Sequence, residues 1–165
     1  MNINTKKLTA LALGVSLAMI LSYIELLLPP IFTAVPGIKL GLPNVIIIFI
    51  LYKFDAASAW VVSIVRVCLS ALLFGTVMTF AYSIAGAVVS LAGMWLLKKT
   101  GLFSTVGISV TGGILHNLAQ ITVAAIILAT REIAYYMIIL AVTGTVAGIF
   151  VGVCAAALIK YIKKI

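Results

Sequence analysis

Gly112-Gly113-Ile114-Leu115-His116-Asn117-Leu118-Ala119-Gln120 lies inside a continuous apolar run from about Thr105 to Ala129 and holds the chain's only histidine. A run of that length can cross the hydrocarbon core of a bilayer as an α-helix, which takes about 20 residues. On such a helix His116 and Gln120, four apart, share a face, with Asn117 beside them. Ser109 and Gly113 extend that side, and Gly113 is expected to leave the face open where the polar groups begin. Polar side chains at membrane depth are costly unless they meet protein, water or a ligand. Two readings follow: a ligand-facing site, which we take as the expectation, or hydrogen bonds that only join neighbouring helices.

Composition agrees with a membrane chain. Of 165 residues, 65% are hydrophobic and 8% charged, with mean hydropathy +1.36. A soluble domain of this size cannot hide so much apolar surface. The apolar runs are continuous rather than alternating, which excludes a transmembrane β-barrel. Cys68 and Cys154 fall within apolar runs and read as small buried side chains, not as a disulfide or a metal pair.

Working outward, a first apolar run spans about Leu8 to Leu28. It is too long for the apolar core of a signal peptide and no clear cleavage site follows, so it reads as a retained helix. Ala10, Gly14, Ala18 and Ser22 form a stripe of small residues along it, suited either to packing within the monomer or to a partner's backbone. From Glu25 to Asn44, Pro29-Pro30, Pro36-Gly37, Gly41 and Pro43 prevent one straight helix. A short apolar stretch to Lys53 then completes a crossing that begins in an irregular segment, with Lys39 and Asn44 near its outer mouth.

The third helix, about Ala56 to Phe74, carries Arg66 near its middle, with Ser63 and Ser70 on the same face. With Glu25, Asp55 and Glu132 as the only acids, no carboxylate is expected deep in a helix to pair with Arg66. An anionic ligand or a water-filled pocket is the expected partner. Gly75-Thr76 turns the chain into a fourth helix ending at Lys98, and Thr130-Arg131-Glu132 separates the fifth from the sixth. That last helix bears Gly144, Gly148, Gly152 and Ala156, a ladder that reads as packing.

The reading is therefore an all-α integral membrane protein, one domain over residues 1–165, with six transmembrane helices. Eight lysines (Lys6, Lys7, Lys53, Lys98, Lys99, Lys160, Lys163 and Lys164) and Asp55 fall on one side. By the excess of basic residues in cytoplasmic loops, both termini are cytoplasmic. Arg66 and His116 then lie at similar depth, and the third and fifth helices are expected to face each other across a ligand. No basic stripe with interleaved aromatics supports nucleic acid as a partner. No phosphate loop, metal spacing, triad or magnesium-holding acid cluster is present, so no enzyme, cofactor or metal is expected.

The six-helix plan, the small-residue stripe and the irregular first loop resemble the substrate-binding S components of energy-coupling-factor transporters. More narrowly, Pro36-Gly37-Ile38-Lys39-Leu40-Gly41-Leu42-Pro43-Asn44, Arg66, Leu73-Phe74-Gly75-Thr76 and His116-Asn117-Leu118-Ala119-Gln120 resemble the Gx transporter family. Its members are often labelled heptaprenyl diphosphate synthase component I. The resemblance implies a multi-pass protein of a bacterial cytoplasmic membrane that captures a small molecule, such as a flavin, a vitamin or a quinone or isoprenoid precursor. It implies docking through Ala10, Gly14 and Ala18 to a transmembrane T component driven by two ATPases. Substrate contacts are expected at Arg66, His116, Asn117 and Gln120, with Asn44 and Lys39 near the mouth. The alternative is a non-transporting subunit that scaffolds a flavin- or quinone-linked redox complex.

Overall fold

The computed structural model describes residues 5–28, 41–129 and 136–162. Six helices follow one another among them: α1 (Thr5–Leu27), α2 (Asn44–Lys53), α3 (Ala56–Phe74), α4 (Val77–Thr100), α5 (Thr105–Leu128) and α6 (Tyr136–Tyr161). All but α2 are long and apolar enough to cross a membrane. The protein is a six-helix, largely apolar membrane-spanning bundle, as the run lengths predict.

The breaks between helices have local causes. Asp55 caps α3, accepting the Ser58 amide at 2.7 Å, and Thr76 and Thr79 form a reciprocal capping box at the start of α4. Gly101, at φ 69°, ends α4 in the left-handed conformation that glycine adopts without penalty. Ser104 then accepts the Gly107 amide at 3.1 Å and opens α5. Each cap satisfies backbone groups that a helix end leaves open.

The short helix α2 is the centre of the packing. Asn44 through Leu51 are all buried, and the helix is apolar on every side, the pattern of a helix enclosed by others. It packs on α1, α3 and α6, while α3, α4, α5 and α6 follow as neighbours around it. At 10 residues it covers about 15 Å, half of a bilayer core. The expected irregular part of that crossing lies mostly in residues 29–40, outside the described residues.

Among the described residues, the lysines gather at one end of the bundle. Lys7 at the start of α1 pairs with Asp55 at the start of α3, 2.6 Å apart. Lys98 at the end of α4 donates to the Leu51 carbonyl near the end of α2 and lies 4.9 Å from the centre of the Tyr52 ring. Lys99 sits 4.0 Å from the centre of Trp95. These amphipathic side chains therefore hold helix ends together while their charges stay at the rim.

The pairing of α5 with α6 is backbone against backbone. A Cβ on Gly148 would fall 2.6 Å from Val110 Cα, and one on Gly152 would fall 2.8 Å from Val106 Cα. The ladder on α6 thus packs, as expected. Gly113 belongs to the same contact, set against Gly144, so it does not open the polar face as the sequence suggested.

Candidate functional site

Three polar residues stand near the middle of the bundle's depth. At 1.5 Å per residue from the lysine end, Arg66 lies about 15 Å along α3, His116 about 17 Å along α5 and Asn44 about 14 Å along α2. All three are buried, as are Gln120, Asn117, Ser22 and Glu25. Lys39 lies outside the described residues.

Glu25 is the residue the sequence reading misplaced. Placed there at the start of the irregular stretch that leads to Asn44, it is 8% exposed, in the last turns of α1. Its Oε1 accepts the Gly41 amide at 2.5 Å and the Leu42 amide at 3.4 Å, which ties α1 to the turn that leads into α2. A carboxylate at that position also suits the positive end of the α2 dipole. Its charge acts on the Arg66 guanidinium, so Arg66 does have an acid nearby. The signal was in the stripe: Ala18, Ser22 and Glu25 continue one buried face at helical spacing.

Arg66 reaches α1 directly, its Nη1 donating to Ser22 Oγ at 3.4 Å. Ser22 in turn donates to the Ala18 carbonyl at 3.0 Å, leaving its oxygen free to accept. Between α3 and α4, Arg66 borders a cavity of about 10 Å³ with Ser70, Gly75, Thr79 and Ser83. That is space for about one water.

His116 and Gln120 contact each other at 3.1 Å, as their spacing predicts. They face α4 at Gly86, where a Cβ would lie 2.8 Å from the imidazole and 3.2 Å from Gln120 Cγ. On its other side the imidazole nears Gly41, which also adjoins Asn44. Gly41, at φ 84°, thus brings Glu25, Asn44 and His116 into one neighbourhood.

Two expectations need correction. Helices α3 and α5 do not face each other directly, because α4 packs between them. Ser83 borders the Arg66 cavity, and Gly86, one turn on, lies against His116. Asn117 turns away from His116, its Nδ2 donating to the Leu140 carbonyl of α6 at 2.9 Å. That bond joins two helices, the alternative role weighed for this stretch.

The small-residue stripe is placed as well. Gly14 and Ala18 are buried, and a Cβ on Gly14 would lie 2.8 Å from the end of the Ile50 side chain. Ala10 is only partly covered. Docking through this stripe would require α1 to part from α2.

Fold and interior define a multi-pass helical membrane protein with a buried polar layer contributed by α1, α2, α3 and α5. The chain belongs to the heptaprenyl diphosphate synthase component I family, whose model matches residues 15–158. No curated protein and no solved structure gives a significant match.

Proposed function

We propose that this protein is a ligand-binding subunit of a membrane importer, similar in role to the S components of energy-coupling-factor transporters. The supporting observation is a set of buried polar groups in an apolar bundle: Glu25 of α1, Asn44 of α2 and His116 of α5, the last in contact with Gln120, gather around Gly41, while Arg66 of α3 is buried on the other side of α4. Intramembrane groups of this kind mark ligand or ion paths by default. With the lysine end in the cytoplasm, the ligand arrives from the opposite side. The chain has no nucleotide-binding motif, so uphill uptake draws on a partner ATPase module.

On this reading the family's label does not describe this chain's own chemistry. Prenyl diphosphate synthesis needs carboxylates that hold magnesium on a diphosphate. Of the three acids, Asp55 pairs with Lys7 at the rim and Glu25 holds the turn before α2. Glu132 lies outside the described residues.

Native mass spectrometry of the gently purified protein tests the proposal. A retained small molecule, together with copurifying ATPase subunits, is the expected result. A flavoprotein or dehydrogenase in their place, with no retained molecule, would turn the reading to a redox scaffold.

A further inference from the structure

The Arg66 side chain is engaged on one side only. Its residue is 3% exposed and its Nη1 donates to Ser22, whereas Nε and Nη2 have no hydrogen-bond partner among the described residues. Those two nitrogens form the side-on edge of the guanidinium fork, which meets both oxygens of a carboxylate or phosphate at once. Open donors at this depth are rare in folded proteins. Ser70 Oγ, on the same face of α3 one turn on, is likewise buried and has no partner among the described residues.

Both residues line the small cavity between α3 and α4, and its lining continues through Thr79 to the turn at Gly75. That turn is at the end of the bundle opposite the lysines. The cavity admits about one water, or the leading oxygen of an oxyanion. Glu25 supplies negative charge nearby without bonding to the Nε–Nη2 edge. Arg66 carries one positive charge, which matches a singly charged oxyanion and leaves a doubly charged one half uncompensated.

We propose that the Nε–Nη2 edge of Arg66, with Ser70 Oγ, anchors a singly charged oxyanion, a carboxylate or a phosphodiester, reached between α3 and α4 from the Gly75–Thr76 turn. This rests on the binding role proposed above and names the chemistry of the group bound. It also moves the route in from the segment before Asn44 to the seam between α3 and α4.

The test uses full-length protein in detergent and follows its unfolding midpoint against added probe at constant ionic strength. Formate represents a free carboxylate, dihexanoyl phosphatidylglycerol a lipid phosphodiester, and sulfate a doubly charged anion. A saturable rise with formate alone assigns a free acid, and one with the lipid alone assigns a headgroup. Arg66→Lys keeps the charge but loses the fork, and should weaken the response about tenfold or more. Ser70→Val fills the cavity without touching the charge and should weaken it similarly, which decides the matter if Arg66→Lys does not fold. Exposed Ser16→Ala serves as the control. No response to formate or lipid, tighter binding of sulfate, or undiminished binding in both cavity variants overturns the proposal. A small molecule retained by wild type and by Arg66→Lys alike would sink the anion site yet leave the binding role standing. Loss of the binding role itself would show as no retained molecule in any form.

Discussion

Glu25 on α1 and Arg66 on α3 are coupled by charge inside the bundle, and Glu25 also accepts the amides of Gly41 and Leu42 ahead of α2. One carboxylate therefore serves three elements. Removing it leaves two backbone donors without their acceptor and takes away negative charge near a buried guanidinium. A buried donor left unsatisfied costs about 1–3 kcal/mol. Glu25→Ala should lower the unfolding midpoint strongly, and Glu25→Gln less, since an amide oxygen still accepts. Adding Arg66→Met to Glu25→Gln should recover part of the loss. Thermal unfolding of the four proteins in one detergent measures this, and an unchanged midpoint for Glu25→Ala would exclude the role given to it.

The contact of α5 with α6 gives a second prediction. Gly148 sits where a Cβ would meet backbone atoms, 2.6 Å from Val110 Cα and 2.9 Å from the Ser109 carbonyl oxygen. Backbone cannot swing aside, so Gly148→Ala should cost about 1–3 kcal/mol or more through overpacking. Gly101→Ala meets open space but a positive φ, and should cost about 1 kcal/mol through strain alone. Equal midpoints for the two variants would refute the close approach.

The sequence made the helices legible because their signals are local. Apolar runs, caps at Asp55, Thr76 and Ser104, and the turn at Gly101 depend on neighbours within a few residues. Arg66 and His116 stood out because polar groups in an apolar run are rare. What was hidden depended on which helix lies next to which. Gly113 could open a face or touch a backbone, and a glycine carries no mark of which. Asn117 and His116 are adjacent in sequence, yet one is bonded to α6 and the other faces α4. Glu25 was counted with the loop because it stands near a helix end, although its stripe pointed inward.

A pH dependence follows from the rim. The hydrogen bond from Lys7, and then the Ser58 amide, hold the Asp55 carboxyl at about 2, below its ordinary 3.8. A depressed folded-state value means the stabilisation is present above about 3.8 and is lost as pH falls towards 2. Both side chains are close to half exposed, 41% and 46%, so the pair contributes under about 1 kcal/mol. Stability should be flat in this respect above about pH 5 and should decline slightly below pH 3.8. Lys7→Met should shrink that decline. A Lys7→Met acid limb as steep as wild type would show the pair to be inert.

Orientation in the membrane can be read from two exposed positions at opposite ends. Val77 begins α4 beside the Gly75–Thr76 turn, and Leu102 follows α4 at the lysine end. Both are more than four-fifths exposed, 85% and 83%. With Cys68 and Cys154 replaced by alanine, Val77→Cys in intact cells should react with an impermeant thiol reagent. Leu102→Cys should react only after the membrane is opened. The reverse pattern would place the lysine end outside and overturn the proposed direction of uptake.

Gly14 separates internal packing from partner docking. Its nearest non-local atom is the terminal carbon of Ile50, 2.8 Å from where a Cβ would stand, with Ile46 at 3.7 Å. The end of an isoleucine can shift, so Gly14→Ala should change stability by less than about 1 kcal/mol. Gly14→Leu must force α1 away from α2, because three more carbons have no space beside Ile46 and Ile50. If the stripe serves the monomer, Gly14→Leu lowers the unfolding midpoint, by about 1–3 kcal/mol of overpacking, and any loss of partner subunits follows that loss of stability. If the stripe instead meets a T component, Gly14→Leu keeps its midpoint while ATPase subunits no longer copurify. Measuring midpoint and copurification on the same preparation distinguishes the two. The burial of Gly14 and Ala18 predicts the first outcome. An unchanged midpoint with lost copurification would mean that α1 presents this stripe to a partner rather than to α2.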